Sequence, residues 1–279
     1  MKKPTHRNSF TLVEVLVAVT ILSFMILMLA EMSGMVGRAW SEGASRIDNF
    51  TKSRAMLDLI SSDLQHAVIR PDLPIFQTGG TINATNGGFT GGTYSASFFT
   101  QVPGVPSEET TNNRNVSCVT YQIVTTTNAD NILLQRSDLA VPWTGGASAI
   151  PFQGNLITPM GNATAREMAP GVVGFQFSFR RADGTVTPAY TGYNATNSVI
   201  AVGVTIAVIG DQAMKELSLG NLTAIQGTLG QAVTNASSLT SIKALWDGQL
   251  TPGFYAHYPK DLATNLKIFE RWIVPALPF

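Results

Sequence analysis

Hydrophobic residues are spread unevenly along the chain, and the longest apolar run lies close to the N-terminus. Residues 10–30 (FTLVEVLVAVTILSFMILMLA) contain a single charged side chain, Glu14. As an α-helix this run would extend about 30 Å, which is the thickness of the hydrocarbon core of a bilayer. Lys2, Lys3 and Arg7 precede it, and such basic residues favour the cytoplasmic side of a membrane. The pattern therefore predicts one membrane-spanning helix with a cytoplasmic N-terminus.

The periodicity changes after the apolar run. Apolar residues now recur every three, four or seven positions, at Ile47, Phe50, Leu57, Ile60, Leu64 and Val68. Charged residues fall between them, namely Arg46, Asp48, Lys52, Asp58 and Asp63. This spacing predicts an amphipathic continuation of the helix over residues 31–70, with its apolar face packed on a sheet. Pro71 ends the helix, because proline disfavours helical backbone at the residue before it.

Alternation of apolar and polar residues predicts strands in the rest of the chain. Residues 119–123 and 132–136 form a short pair, and residues 173–179 place phenylalanines on one face of a half-buried strand. Residues 199–209 are almost wholly apolar but too short to cross a membrane as a helix, so they predict a central strand. Residues 77–97, rich in Gly, Thr, Asn and Ser, are predicted to form a surface loop.

Together these elements predict an α+β fold, in which a long N-terminal helix packs on an antiparallel β-sheet, because hairpins follow one another without intervening helices. Residues 1–9 form a basic leader, and residues 71–210 form a loop-rich, extracytoplasmic sheet domain. Residues 211–279 are an aromatic-rich C-terminal extension, which begins with a helix over 211–222 that Asp211 caps. Its aromatic residues either cover the sheet or form a contact surface for another protein.

Composition and scattered polar residues indicate neither an enzyme nor a nucleic-acid-binding protein. Only 13% of residues are charged and the formal net charge is zero, so no overall field attracts nucleic acid. His6, His66 and His257 are not spaced as metal ligands, and Glu108 and Glu109 are adjacent acids in a polar loop, where such residues are usually solvated. We therefore expect no catalytic residues, no metal site and no cofactor.

Three interpretations of the apolar run compete. A cleaved secretory signal is the first, but its apolar core usually spans only about 7–15 residues. A plain signal anchor is the second, but it gives no reason for Glu14, because a carboxylate within an apolar membrane helix costs roughly 2.5–3.5 kcal/mol unless it has a partner. The third interpretation supplies that partner and rests on a resemblance.

The string from Ser9 to Ala18, SFTLVEVLVA, resembles the prepilin cleavage and methylation motif of type IV pilins and pseudopilins. The resemblance implies that prepilin peptidase cuts between Ser9 and Phe10 and that the new amine of Phe10 is methylated. Glu14 then becomes the fifth residue of the mature chain, and its carboxylate forms an assembly salt bridge with the amine of a neighbouring subunit. Ser9 departs from the family pattern, which usually has Gly at this position.

Further stretches resemble two particular pilin-like families. The motif Leu59–Gln65 and the strand that begins at Gly171 are similar to the J-type minor pseudopilin of type II secretion. The stretches Ala55–Gln65 and Arg70–Leu73 are similar to a verrucomicrobial prepilin-like family, Verru_Chthon cassette protein C.

These resemblances imply a structural subunit of a type II secretion-like filament that acts in assembly or near the tip. Its partners would be other pseudopilins or pilins, reached through the N-terminal helix, together with prepilin peptidase and inner-membrane lipid, and no nucleic acid. The protein would be a single-pass bacterial inner-membrane protein with its C-terminal domain in the periplasm. The alternative is a minor type IV pilin that serves as a binding module for DNA, a surface or cargo.

Overall fold

A computed structural model describes residues 11–67, 76–83, 88–101, 117–125, 132–140, 166–188, 199–234 and 239–275. The chain divides into two compact units, one ending at Ile47 and the other beginning at Asp48. Helix α1, Leu12–Gln65, contributes its first part to one unit and its last part to the other.

The described part of the first unit is the N-terminal portion of α1, whose apolar side chains lie on the surface. Every large apolar side chain from Leu12 to Val36 is between 48% and 81% exposed. By length and composition, α1 contains a segment that is apolar enough to cross a membrane. Leu, Met and Ala favour helical backbone, and no proline interrupts the helix.

The second part of α1 is amphipathic, as predicted. Its buried residues recur at helical spacing, and they are Asn49, Ser53, Met56, Leu57, Ile60, Ser61, Asp63 and Leu64. The prediction was wrong for Asp63, which was assigned to the polar side but is only 2% exposed. It was also wrong for Ile47 and Phe50, which were assigned to the apolar face but are 71% and 56% exposed. The helix ends at Gln65, before Pro71. The chain turns there because Ala67 forms a β-bridge with Thr100. Val68 and Pro71 lie outside the described residues.

Five strands form the first sheet: β1 Phe76–Asn83, β2 Gly88–Thr100, β3 Ser117–Thr125, β4 Ile132–Ala140 and β5 Arg166–Pro170. They are antiparallel neighbours in chain order, so among the described residues β1 and β5 are the edge strands. The predicted pair at residues 119–123 and 132–136 corresponds to β3 and β4. The antiparallel sheet that was predicted from sequence is thus confirmed.

The predicted surface loop at residues 77–97 is wrong, because most of it forms the hairpin of β1 and β2. Its Gly, Thr and Ser residues gave no apolar alternation, yet their backbone groups pair across the hairpin from Phe76 with Ser97 to Asn83 with Gly88. Register shifts around Gly80 interrupt the pairing. Composition misled the prediction, because ladder hydrogen bonds require backbone groups rather than apolar side chains.

Four strands form the second sheet: β6 Val172–Arg181, β7 Val186–Thr187, β8 Val199–Ile209 and β9 Leu266–Ile273. Their order is β7-β6-β8-β9, and every pair is antiparallel. The central strand predicted at residues 199–209 is confirmed as β8. A turn joins β6 to β7 through Gly184, whose φ of 85° suits glycine because the residue lacks a Cβ atom.

Aromatic side chains hold the two sheets together. Phe98 of β2 meets Phe177 of β6 edge to face at 6.1 Å between ring centroids, and Tyr121 lies 5.9 Å from Phe175. Ile60 of α1 is fully buried in the same core. The apolar face of the helix and the inner faces of both sheets therefore share one core.

Gly171 forms the corner between β5 of the first sheet and β6 of the second. Its φ is 82°, and a Cβ atom there would lie 2.4 Å from the carbonyl oxygen of Ile209. Its backbone N–H donates to the carbonyl of Ile132 at 2.8 Å, and its carbonyl accepts from Ile209 N at 2.8 Å. This residue thus ties the sheets together at a point where only glycine fits without a shift.

Five helices occupy most of the C-terminal part: α2 Asp211–Glu216, α3 Leu219–Thr234, α4 Ile242–Gln249, α5 Pro252–Tyr255 and α6 Asp261–Asn265. The predicted helix over 211–222 is therefore two helices, and Gly210 rather than Asp211 occupies the N-cap of α2. The carboxylate of Asp211 instead binds Lys52 at 2.9 Å.

Helices α3 and α4 cover the outer face of β6. A Cβ atom on Gly174 would lie only 3.0 Å from both Leu229 and Trp246, so the helices approach the strand closely. Trp246 is 1% exposed, and its indole N–H donates to the carbonyl of Leu229 at 3.0 Å. Strand β6 was predicted to be half buried, but this cover buries both of its faces.

Candidate functional site

The described chain begins with a hydrogen-bonded cap that contains Glu14. The side chain of Thr11 accepts a hydrogen bond from the backbone N–H of Glu14 at 3.3 Å. In return, Oε2 of Glu14 accepts from the backbone N–H of Thr11 at 2.9 Å and from its hydroxyl at 3.0 Å. This reciprocal arrangement is a capping box, which satisfies N–H groups that have no partner within the helix.

The capping box gives Glu14 a second reason to occupy its position. The positive end of the helix dipole lies at the N-terminus, where a carboxylate is favoured. Sequence analysis identified Glu14 but missed Thr11, although Thr11-Leu12-Val13-Glu14 has the Ser/Thr-x-x-Glu spacing of a capping box. The capping-box spacing is present in the sequence, but it was overlooked because it lies within an apolar run.

One oxygen of the Glu14 carboxylate has no hydrogen-bond donor among the described residues. Within the part of the chain that the structure describes, Oε1 of Glu14 accepts no hydrogen bond, and the group is exposed. Ser9 and Phe10 lie outside the described residues, so the structure does not test the predicted cleavage site. Phe10 immediately precedes Thr11, whose amide already binds Oε2.

The other polar side chains of the apolar run bind the backbone of their own helix. Thr20 donates to the carbonyl of Val17 at 2.8 Å, and Ser23 donates to the carbonyl of Val19 at 2.8 Å. Such bonds to the preceding turn hide a hydroxyl within an apolar helix. Glu14 is thus the one side chain between Thr11 and Ala30 that carries a charge into apolar surroundings.

A second set of charges is buried in the core of the other unit, and sequence analysis did not find it. This cluster, the Asp63 network, comprises Asp63, Tyr121, Arg136 and Asp138, which are between 0% and 8% exposed. Asp63 accepts hydrogen bonds from the Tyr121 hydroxyl and from Nε and Nη2 of Arg136, the latter two at 2.7 Å and 3.3 Å. Nη1 of Arg136 donates to Asp138 at 2.7 Å.

Protonation states in the Asp63 network follow from this geometry. Burial and the negative charge of Asp63 raise the pKa of Tyr121, so the phenol remains a donor. Burial alone would lower the pKa of Arg136, but its hydrogen bonds to Asp63 and Asp138 outweigh that effect and raise it. The network joins the end of α1 to β3 and β4, and its charged groups are paired with one another, so we assign it a structural role.

The remaining sequence candidates do not converge on a site. Nδ1 of His66 lies 2.7 Å from the carbonyl of Ser62, and Nδ1 of His257 lies 3.1 Å from that of Gly253. His6, Glu108 and Glu109 lie outside the described residues. Among the residues that are described, no three His, Cys, Asp or Glu side chains are grouped as metal ligands.

Comparison with known protein families yields one match, which covers residues 5–30 and is described as the prokaryotic N-terminal methylation motif. No curated protein matches the chain. The matched segment contains the predicted cleavage site, the capping box and most of the apolar run. A motif of this kind implies processing by prepilin peptidase and assembly with other pilins. The motif is the type IV pilin or pseudopilin signal, and together with the one apolar helix found among the described residues it is consistent with a membrane-anchored, pilin-like protein.

Proposed function

We propose that the protein is a minor pseudopilin, a structural subunit of a type II secretion-like filament that acts in assembly or near the filament tip. The observation that carries this proposal is the methylation motif at residues 5–30, with Glu14 placed five residues into the chain that cleavage before Phe10 would create. In this proposal the apolar part of α1 anchors the subunit in the bacterial inner membrane, and the folded unit from Asp48 onward lies in the periplasm.

The exposed carboxylate of Glu14 supports a role in assembly. A charged group surrounded by lipid is costly, whereas an ion pair with the amine of Phe10 on a neighbouring subunit offsets part of that cost. The capping box directs Oε2 toward Thr11 of the same chain, and Oε1 remains for the incoming amine. The ion pair would therefore set the axial register between adjacent subunits.

The mature N-terminus tests the cleavage step. Mass spectrometry of protein purified from the native membrane should show a chain that begins at methylated Phe10. An intact Met1, or a cut near residue 39, would contradict the proposal. Because the family usually has Gly before the cut, Ser9→Gly should increase the cleaved fraction in a pulse-chase experiment, whereas Thr5→Gly, a matched change elsewhere in the leader, should not.

Replacing Glu14 tests assembly separately from cleavage. Glu14→Ala should still be cleaved and inserted, but the variant should not enter filaments, which can be measured by shearing and immunoblotting. Glu31→Ala is the matched control, because Glu31 is an exposed acid on the same helix at the end of the apolar run. Normal incorporation of the Glu14 variant would exclude the register role.

A further inference from the structure

The exposed apolar surface of α1 continues past Ala30, where the predicted membrane segment ends. Glu31 comes next, and three large apolar side chains follow it. They are each 60–64% exposed, and they are Met32, Met35 and Val36. The next charged residue is Arg38, and Trp40 lies two positions beyond it. The outer edge of the membrane segment therefore lies either at Glu31 or at the stretch from Arg38 to Trp40.

Arg38 and Trp40 have side chains that suit the layer of lipid headgroups. Trp40 is 79% exposed, and tryptophan is enriched where the hydrocarbon core of a bilayer meets water. Arg38 is exposed and forms no ion pair with any described residue, so its guanidinium can bind a lipid phosphate. Glu31 is about 10.5 Å away along the helix axis, which is too far for an ion pair. The other nearby acid, Glu42, lies 4.0 Å from Arg46.

The exposed apolar side chains surround α1 and do not form a single face. Successive residues of a helix point about 100° apart, so four consecutive ones cover every side. Four such residues are all exposed, namely Ile26, Leu27, Met28 and Leu29. Arg38 and Trp40 are two positions apart, so they lie on nearly opposite sides of the helix. A single neighbouring helix would cover one side, whereas lipid surrounds the whole helix, so this distribution favours lipid as the partner.

The length of the exposed apolar surface agrees with an outer edge at Arg38. From Leu12 to Val36 the helix rises by about 36 Å. It fits a hydrocarbon core of about 30 Å when it is tilted by about 35°, and membrane helices are tilted by up to about 40°. Glu31 then lies about 7.5 Å from the outer end of this surface, away from the bilayer centre, where a charge costs most. Covering three large apolar side chains with hydrocarbon offsets the remaining cost of this one acid.

We propose that Arg38 and Trp40 anchor α1 in the outer layer of lipid headgroups of the inner membrane. The guanidinium of Arg38 binds a lipid phosphate, and the indole of Trp40 lies between the hydrocarbon core and water. This inference rests on the proposed function, which supplies the membrane anchor, and it adds the contact that ends the membrane segment on its outer side. Because α1 is continuous from Leu12 to Gln65, the anchor also sets the depth of Glu14 in the bilayer.

Cysteine labelling locates the outer edge of the membrane segment. The sequence has one cysteine, Cys118, so a Cys118→Ser background allows single cysteines at chosen positions. Spheroplasts that contain the full chain are treated with a maleimide that cannot cross the membrane. Met35→Cys should react several-fold more slowly than Ile47→Cys, because the proposal places Met35 in lipid and Ile47 beyond the headgroups. Equal rates would place the edge at Glu31 and overturn the proposal.

Variants of the two anchor residues test their contribution. Arg38→Glu and Trp40→Ala should each increase the labelling of Met35→Cys several-fold, whereas Trp40→Tyr should not, because tyrosine also favours the membrane interface. Arg46→Glu makes the same charge change two turns further out, and Ile47→Ala truncates an apolar side chain that is 71% exposed. Increases of the same size in these two controls would overturn the proposal. Near-ultraviolet circular dichroism verifies that each variant is folded.

Fluorescence quenching identifies lipid as the partner of Trp40. The purified full chain, labelled with bimane at Trp40→Cys, is reconstituted into vesicles of phosphatidylethanolamine and phosphatidylglycerol. A spin label on the lipid headgroup should quench it more than a spin label near the end of the acyl chain. Leu22→Cys is the control within the apolar run and should show the opposite order. Absence of quenching at Trp40→Cys by either spin label would overturn the proposal.

A final measurement separates this inference from the filament proposal. Labelling of Met35→Cys is repeated in Glu14→Ala, which the proposed function expects to be inserted but not assembled. Protection that persists supports an anchor in lipid. Protection that is lost would show that a neighbouring subunit covers this part of α1, which overturns the anchor and leaves the filament proposal standing. If the labelling results hold but Glu14→Ala enters filaments normally, the register role fails and the anchor stands.

Discussion

Glu14 and Asp63 are carboxylates of the same helix, but they lie in different units and in opposite surroundings. Glu14 is exposed among apolar side chains, and its described partner is the neighbouring Thr11. Asp63 is 2% exposed and receives hydrogen bonds from two residues that are far away in the sequence, Tyr121 and Arg136. Glu14 thus forms hydrogen bonds only to a neighbouring residue and through one oxygen, whereas Asp63 is enclosed by residues from distant parts of the chain.

The comparison shows how burial and partners together assign a role to a charge. Both oxygens of Asp63 accept hydrogen bonds from Arg136, so neither oxygen lacks a donor. These bonds fix the end of α1 on the first sheet. Glu14 has an oxygen that the described residues leave without a donor. A charged group in apolar surroundings that still has a free acceptor oxygen is suited to bind another chain. A charged group whose partners enclose it is suited to stabilise the fold.

The largest expected effect comes from removing the enclosed carboxylate. Asp63→Ala leaves Arg136 charged and buried without its main partner, and the loss of one member of a buried ion pair costs about 3–5 kcal/mol. The free energy of unfolding, measured in guanidinium with the full chain in micelles, should fall by that amount.

Asp58→Ala is the matched control for this prediction. Asp58 lies on the same helix, is about half exposed, and pairs with Arg54 and Arg271. Exposed ion pairs contribute under about 1 kcal/mol, so the control should change stability much less. Equal losses in the two variants would show that burial does not distinguish the two carboxylates.

Much of the fold was readable from the sequence because it follows local patterns. The apolar run, the helical spacing around Ile60 and the alternation of β6 each reflect the geometry of a single element, and β8 was predicted with its observed bounds. The hairpin of β1 and β2 was missed because its Gly and Thr residues carry no apolar signal.

The candidate sites divide in the same way. Glu14 was found because it interrupts an apolar run, which is a local signal. The Asp63 network was missed because Asp63 and Arg136 are 73 positions apart, and only the pairing of β3 with β4 and the packing of α1 bring them together. Asp63 alternates with apolar neighbours as a solvated residue would, so helical periodicity placed it on the wrong face.

A pH experiment tests the enclosure of the Asp63 network with a smaller effect. An unfolded tyrosine ionises near pH 10, whereas burial and Asp63 raise the pKa of Tyr121 in the folded protein. The folded state therefore keeps a proton that the unfolded state loses above about pH 10. This contribution to stability is complete below that pH and should decline above it by about 1.4 kcal/mol per pH unit.

Tyr121→Phe isolates this contribution. The variant loses the hydrogen bond to Asp63 at every pH, but its stability should decline less steeply between pH 10 and the pH of alkaline unfolding than that of the natural protein. Lys52 also has a raised pKa, because its hydrogen bonds to Asp48 and Asp211 outweigh burial, but it contributes equally to both proteins. Identical slopes for the two proteins would show that Tyr121 ionises freely in the folded state.

The smallest expected effect concerns the partner of the exposed carboxylate. Thr11→Val removes the hydroxyl from the capping box, and loss of an N-cap side chain costs about 1 kcal/mol, confined here to the first turn of α1. Amide hydrogen exchange in micelles should accelerate in that turn alone, and Thr11→Ser should restore the natural rate. Thr20→Val is the matched control, since the hydroxyl of Thr20 binds only the carbonyl of Val17 in its own helix. Unchanged exchange in Thr11→Val would mean that the helix start does not hold Glu14, and the orientation of its carboxylate would then have to come from a neighbouring subunit.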